Sequence, residues 1–73
     1  MKKELCLILN NEIVVYYSLN DIKNITYHIA KDIYSVSDLK GNDIQPDETV
    51  MFIHFKDGTE ATFKSVNCQM KFL

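Results

Sequence analysis

Residues 51–63, MFIHFKDGTEATF, constrain the fold more than any other stretch of the chain. Lys56-Asp57-Gly58 suits a type I turn followed by a glycine in the left-handed region, which closes a hairpin through a bulge. That turn sets Phe55 opposite Thr59, Ile53 opposite Ala61 and Met51 opposite Phe63. One face then carries Met51, Ile53, Phe55, Ala61 and Phe63, and the other Phe52, His54, Glu60, Thr62 and Lys64. A two-residue turn mixes polar and apolar side chains on both faces, so the bulged register is the one that sorts them. It also leaves a histidine in the middle of an apolar strand, on the face away from the core.

The rest of the chain supplies partners for this hairpin. Residues 4–9, ELCLIL, alternate Leu5, Leu7 and Leu9 with Glu4, Cys6 and Ile8, and residues 13–17, IVVYY, are β-branched and aromatic. The NNE between them is a turn signal, so the two segments read as a first hairpin. Ile22, Ile25, Ile29 and Ile33 then recur at helical spacing. Ser18 and Asp21 form a capping-box-like pair, with Tyr17 and Ile22 as a hydrophobic staple. These signals predict a helix from about Leu19 to Lys31, with residues 33–37 either its last turn or a short strand. Residues 37–48 read as a loop holding Gly41, the sole proline Pro46, and Asp38, Asp43, Asp47 and Glu48 against Lys40. The tail VNCQMKFL alternates again, as a continuation of the last strand or a new strand after a bend. The expectation is one α+β domain over 1–73, in the order ββαββ(β), with an antiparallel sheet and one helix on one face.

Composition narrows the function classes. The chain is 47% hydrophobic and 25% charged, enough apolar residue to offset chain entropy. Its net charge is -2 and all eight basic residues are lysines, which argues against a nucleic-acid reader with arginines on bases and phosphates. Abundant Ile, Asn, Lys and Tyr without Arg or Trp fit an AT-rich coding sequence, as in low-GC bacteria and their phages. The basic start and following apolar run are broken by Asn10, Asn11 and Glu12, unlike a signal peptide. No stretch nears the ~20 apolar residues of a membrane helix. These points lead to an expected cytoplasmic location, with reduced Cys6 and Cys68.

If the helix covers the Leu5, Leu7, Ile53 and Phe55 face, alternation puts Cys6, His54 and Cys68 together on the open face. Two thiols and an imidazole are zinc ligand types, and zinc takes four in tetrahedral geometry. Glu60 or His28 would supply the fourth. A structural zinc contributes ~10–16 kcal/mol of apparent binding energy in small peptides, ample for a thin core. Three arrangements stay open: a zinc site, buried cysteines with His54 paired to Glu60, and a Cys6–Cys68 disulfide. No Cys-x-x-Cys or His-x-x-x-His spacing selects among them. Gly41 and Gly58 are the sole glycines, so no phosphate-cradling loop exists, and the reading is non-enzymatic. The carboxylates Asp38, Asp43, Asp47 and Glu48, with exposed apolar residues and tyrosines, suit docking on a basic host protein.

The whole chain resembles the small orphan proteins of low-GC phages and mobile elements. In size, charge and element order it is similar to small anti-CRISPR proteins that inhibit the type II effector nuclease. The segments that carry this are ELCLILNNEIVVYYS, SLNDIKNITYHIAKDI and VMFIHFKDGTEATF. The resemblance implies a non-catalytic inhibitor that binds the CRISPR effector nuclease and blocks its engagement of nucleic acid. It also raises the expectation of one bound zinc ion. The alternative is a zinc-binding or dimeric accessory module of a mobile element. Either a monomer or a homodimer fits.

Overall fold

A computed structural model describes residues 3–73. It has six strands in two antiparallel three-stranded sheets and two short helices. The first sheet has the order β2-β1-β6, from β1 (Glu4–Leu9), β2 (Ile13–Ser18) and β6 (Cys68–Phe72). The second has the order β3-β4-β5, from β3 (Ile22–Ile29), β4 (Thr49–Phe55) and β5 (Glu60–Lys64). Helices α1 (Ala30–Ile33) and α2 (Val36–Gly41) fill the β3–β4 connection. Among the described residues, no helix is long and apolar enough to cross a membrane.

The β4–β5 hairpin has the register its sequence predicts. Met51 faces Phe63, Ile53 faces Ala61 and His54 faces Glu60. Gly58 takes φ +92°, the left-handed conformation the turn requires. Phe55 N–H donates to Thr59 O at 2.9 Å, and Gly58 N–H to Phe55 O at 3.1 Å. The β1–β2 hairpin also forms, with Leu7 opposite Val15 and Leu9 opposite Ile13. Its turn uses Asn10 and Asn11 at φ 53° and 59°, a region asparagine tolerates better than most residues.

The predicted helix over 19–31 does not form. Leu19–Asp21 is a single 3-10 turn, after which the chain runs as the eight-residue strand β3. The helical spacing of Ile22 and Ile25 comes from a bulge. Ile22 pairs with Phe55 and Ile25 with Ile53, with a register shift between Ile22 and Asn24. The extra residue, Lys23, puts two isoleucines three apart on one face, which a regular strand cannot do. Ile25, Thr26, Tyr27 and Ile29 are β-branched or aromatic, and their strand preference accompanies this pairing. Ser18 occupies the cap position of the 3-10 turn without a side-chain cap bond, and Asp21 O accepts from Lys56 N–H instead.

Part of the expected loop over 37–48 is helical. Ser35 caps α2, its hydroxyl accepting from Asp38 N–H at 3.2 Å and donating to Asp38 Oδ2 at 2.8 Å. The tail is a new strand. Asn67, at φ 59°, and a Cys68 N–H to Ser65 O bond turn the chain out of the second sheet, and β6 joins the first.

These changes give two cores instead of one. The main core joins the inward faces of the sheets, with Leu5 and Leu7 against Met51 and Ile53, and Val15, Tyr17, Ile22, Ile25, Phe55 and Phe63 around them. Tyr17 fixes the contact, its ring 5.3 Å from Phe55 and 6.4 Å from Phe63. A smaller core on the far face of the second sheet joins Val50 to Ala30 and Leu39, with Tyr34, Ile44 and Phe52 packed on it. The helices thus cover one end of that face and leave the His54 end open. The radius of gyration is 13.3 Å, against about 11 Å for a compact chain of this length. So slender a molecule leaves much of its sheet surface and strand edge available to partners.

Candidate functional site: an open sheet face and unprotected strand edges

The open end of the second sheet is built from alternate residues of three strands. β4 contributes Phe52 and His54, β3 contributes Asn24, Thr26 and His28, and β5 contributes Glu60 and Thr62. His54 is held from both sides. Its Nδ1 lies 3.1 Å from Glu60 Oε2 and its Nε2 lies 2.9 Å from Thr26 Oγ1. The carboxylate only accepts, so Nδ1 carries a proton, and in the neutral ring Nε2 accepts from the Thr26 hydroxyl. The row continues through stacked rings, with Phe52 6.1 Å from His54 and edge-on to His28 at 5.5 Å.

The structure brings His54 and Glu60 together but separates them from both cysteines. Cys6 is buried and faces away from the main core, between Tyr16 and Lys71 in the sheet register. Cys68 lies opposite Leu9 and packs on the main core, so it occupies the other face of the same sheet. His54 belongs to the second sheet. The shared face expected of these three residues required residues 66–72 to extend β5, whereas the bend at Asn67 carries them to the first sheet. His28 lies along the His54 row, beyond Phe52. Among the described residues, no three His, Cys, Asp or Glu side chains gather as a metal-ligating group. The disulfide arrangement also fails. Cys68 pairs three residues along β1 from Cys6, about 10 Å at strand rise and beyond the ~7 Å reach of a bridge. Both cysteines are free.

The four acidic candidates divide by the bonds they already make. Asp38 accepts from Ser35, and Glu48 Oε2 accepts from Gln45 N–H at 2.8 Å. Asp43 and Asp47 are exposed beside the helices. Asp43 sits at φ 54°, and its carbonyl accepts from Lys64 Nζ at 2.9 Å.

The strand edges are the feature that sequence reading missed. In antiparallel sheets the backbone groups of successive residues point to alternate sides. Phe55 and Thr49 bond toward β5, so His54, Phe52 and Val50 bond toward β3. On β3 this leaves Ile25, Tyr27 and Ile29 with backbone groups directed outward. On β5 the outward residues are Glu60, Thr62 and Lys64. The same reasoning applies to the first sheet, where Glu4 bonds reciprocally with Leu73 and Leu9 O accepts from Glu12 N–H. It directs Val14 and Tyr16 outward on β2, and Met70 and Phe72 outward on β6. Only β5 places charged residues, Glu60 and Lys64, at its outward-bonding positions, where they shield an edge from added strands; Lys23 of β3 and Lys71 of β6 stand elsewhere on their strands. The other three present Val, Tyr, Ile, Met and Phe. Hydrophobic alternation marks a strand but not whether it is an edge, so this feature appears only once the strand order is known.

No protein-family model, curated protein or solved structure matches the chain.

Proposed function

We propose that the chain is a non-catalytic protein-binding module. As the resemblance of its sequence implies, it acts as an inhibitor that occupies a CRISPR effector nuclease and keeps it from engaging nucleic acid. The observation that supports a binding role is the edge of β3. Ile25, Tyr27 and Ile29 direct backbone groups outward there, and Tyr27 is 50% exposed. The run from Asn24 to Ala30 carries no formal charge and is bracketed by Lys23 and Lys31. Such an edge accepts an extended partner segment as a fourth strand, with main-chain bonds giving affinity and alternate side chains giving selectivity. The bracketing lysines favour a segment with acidic residues toward its ends. Asp43 and Asp47 offer a second contact to a basic surface.

The test is target-DNA cleavage by a guide-loaded type II effector nuclease with the protein added in excess. Cleavage is expected to fall, and Tyr27→Glu is expected to restore it by placing charge on the edge. Reversal of Asp43 and Asp47 to lysine is expected to weaken binding further as salt is lowered. Undiminished cleavage, together with no co-purification of nuclease and protein, would retire the nuclease as partner.

A further inference from the structure

We infer that a second copy of this chain pairs with β6, edge to edge and antiparallel, joining two three-stranded sheets into one of six strands. Met70 and Phe72 direct their backbone groups away from β1, so among the described residues these donors and acceptors have no backbone partner. Their side chains lie on the inward side of the sheet, in line with Leu5 and Leu7. Leu5 and Leu7 are fully buried, yet Met70 is 36% exposed and Phe72 62%. The inward apolar face of the first sheet therefore continues past the buried core to the open edge of β6, where a neighbouring strand would shield Met70 and Phe72 from the side.

The sequence of β6 is complementary to itself. A two-fold axis at Met70 sets Cys68 opposite Phe72 of the second copy and Gln69 opposite its Lys71. The inward side of the joint then holds cysteine, methionine and phenylalanine from both copies. On the outward side the strand's one charge meets an amide oxygen, not a like charge. Met70 faces itself as a hydrogen-bonded pair, the geometry its outward backbone groups require. Two-fold pairing of one surface with itself is the commonest form of homo-oligomer.

The other edges suit a second copy less well. On β5, pairing centred on Thr62 sets Glu60 against Lys64 of the second copy, but the inward side chains Ala61 and Phe63 already pack on the core, so an added strand completes nothing there. On β3, pairing centred on Tyr27 sets Lys23 against Lys31 of the second copy, and α1 begins directly after Ile29. On β2, the inward side chains Val15 and Tyr17 already pack on the core, so an added strand completes nothing there.

Light scattering across about 1 to about 300 μM chain tests this by mass action. The native chain is expected to pass from one-chain to two-chain mass as concentration rises. Met70→Pro removes an N–H that makes no backbone bond among the described residues, so it is expected to remain at one-chain mass while keeping its strand circular dichroism. Met70→Lys places two ammonium groups on the two-fold axis, and the same result is expected of it, which decides the matter if the proline variant does not fold. A native chain at one-chain mass throughout, or a folded Met70→Lys variant still at two-chain mass, overturns the pairing. The measurement needs no nuclease, so it stands or falls apart from the inhibitor reading.

Discussion

His54 and Glu60 face each other directly across β4 and β5, with Nδ1 and Oε2 3.1 Å apart. The contact fixes more about the ring than about stability. Both side chains are partly open to water, so the pair contributes only about 0.5 kcal/mol. It does select the Nδ1–H tautomer, because the carboxylate has no proton to give. Thr26 then completes a carboxylate–imidazole–hydroxyl row spanning all three strands of the sheet. Long-range proton–nitrogen NMR spectra of the neutral ring are expected to show the proton on Nδ1. Glu60→Gln is expected to mix the tautomers, since the amide offers a donor as well as an acceptor. A native ring protonated on Nε2 alone would show that the contact does not persist in solution.

How much of this was legible in the sequence depended on whether local signals competed. KDG has one economical reading, and it gave the hairpin and the His54–Glu60 pair without tertiary information. The β1–β2 hairpin followed from alternation and an asparagine turn. Residues 19–31 failed because the bulge at Lys23 spaces Ile22 and Ile25 as a helix would. Periodicity alone does not separate a bulged strand from one helical turn; the β-branched and aromatic content of ITYHI was the signal that did. That error spread, since one missing strand meant one sheet where there are two. The bend at Asn67 then placed Cys68 away from His54, and the expected ligand set came apart with it.

Gly58 tests the turn separately from packing. A Cβ built there meets nothing within 4 Å, so an alanine is free of collisions. Its φ of +92° nevertheless lies where side-chain-bearing residues are strained. Gly58→Ala is therefore expected to destabilise the fold by about 1 kcal/mol through backbone conformation alone. Gly41→Ala, also without a neighbour within 4 Å but at the end of α2, is expected to be neutral or stabilising. Urea unfolding of the two variants checks this. Equal effects would mean that the turn is not held in the left-handed conformation.

The core of a chain this small has little redundancy. Ile53 is fully buried at the centre of β4, between Ile25 and Ala61 in register and against Leu5 and Leu7. Truncating such a residue to alanine costs about 2–5 kcal/mol, comparable with the ~5 kcal/mol total of a marginal domain. Ile53→Ala is expected to populate the unfolded chain at room temperature, whereas Val36→Ala, at an exposed position, is expected to leave the melting midpoint nearly unchanged. Thermal unfolding of both separates them, and a cooperative Ile53→Ala transition near the native midpoint would contradict the assigned core.

Asp57 gives the hairpin a pH dependence of known sign. The Thr59 hydroxyl, 2.6 Å from Oδ1, and then the Thr59 N–H at 2.9 Å hold its carboxyl below the ordinary carboxylate range. A folded-state value below the unfolded one means that the contribution is complete above the unfolded value and is lost as pH falls through the folded one. Asp57→Asn removes this proton linkage while keeping an acceptor oxygen for Thr59. The stability difference between native chain and variant is therefore expected to be largest near neutral pH and to shrink progressively as pH falls into the acid range, because the native carboxylate loses its advantage as it takes up a proton. Comparing the two proteins at each pH cancels the titration of the other carboxylates. A difference that stays constant with pH would mean that the turn does not distinguish the carboxylate from the acid.

The two thiols are expected to react differently because they lie on opposite faces of one sheet. Burial pushes the Cys68 thiol above its ordinary range, which lowers the thiolate fraction available at neutral pH. Cys68 is nevertheless partly exposed on β6, the edge strand, whereas Cys6 is on the central strand and only 5% exposed. An alkylating reagent is expected to modify Cys68 slowly in the native state and Cys6 only through opening of the sheet. Cys6 labelling should accelerate with sub-denaturing urea, while Cys68 labelling should rise mainly with pH. If β6 pairs with a second copy, raising the protein concentration should also slow Cys68, which then faces Phe72 of that copy, and leave Cys6 unchanged. Equal labelling rates at the two sites, insensitive to urea, would contradict their placement on separate faces.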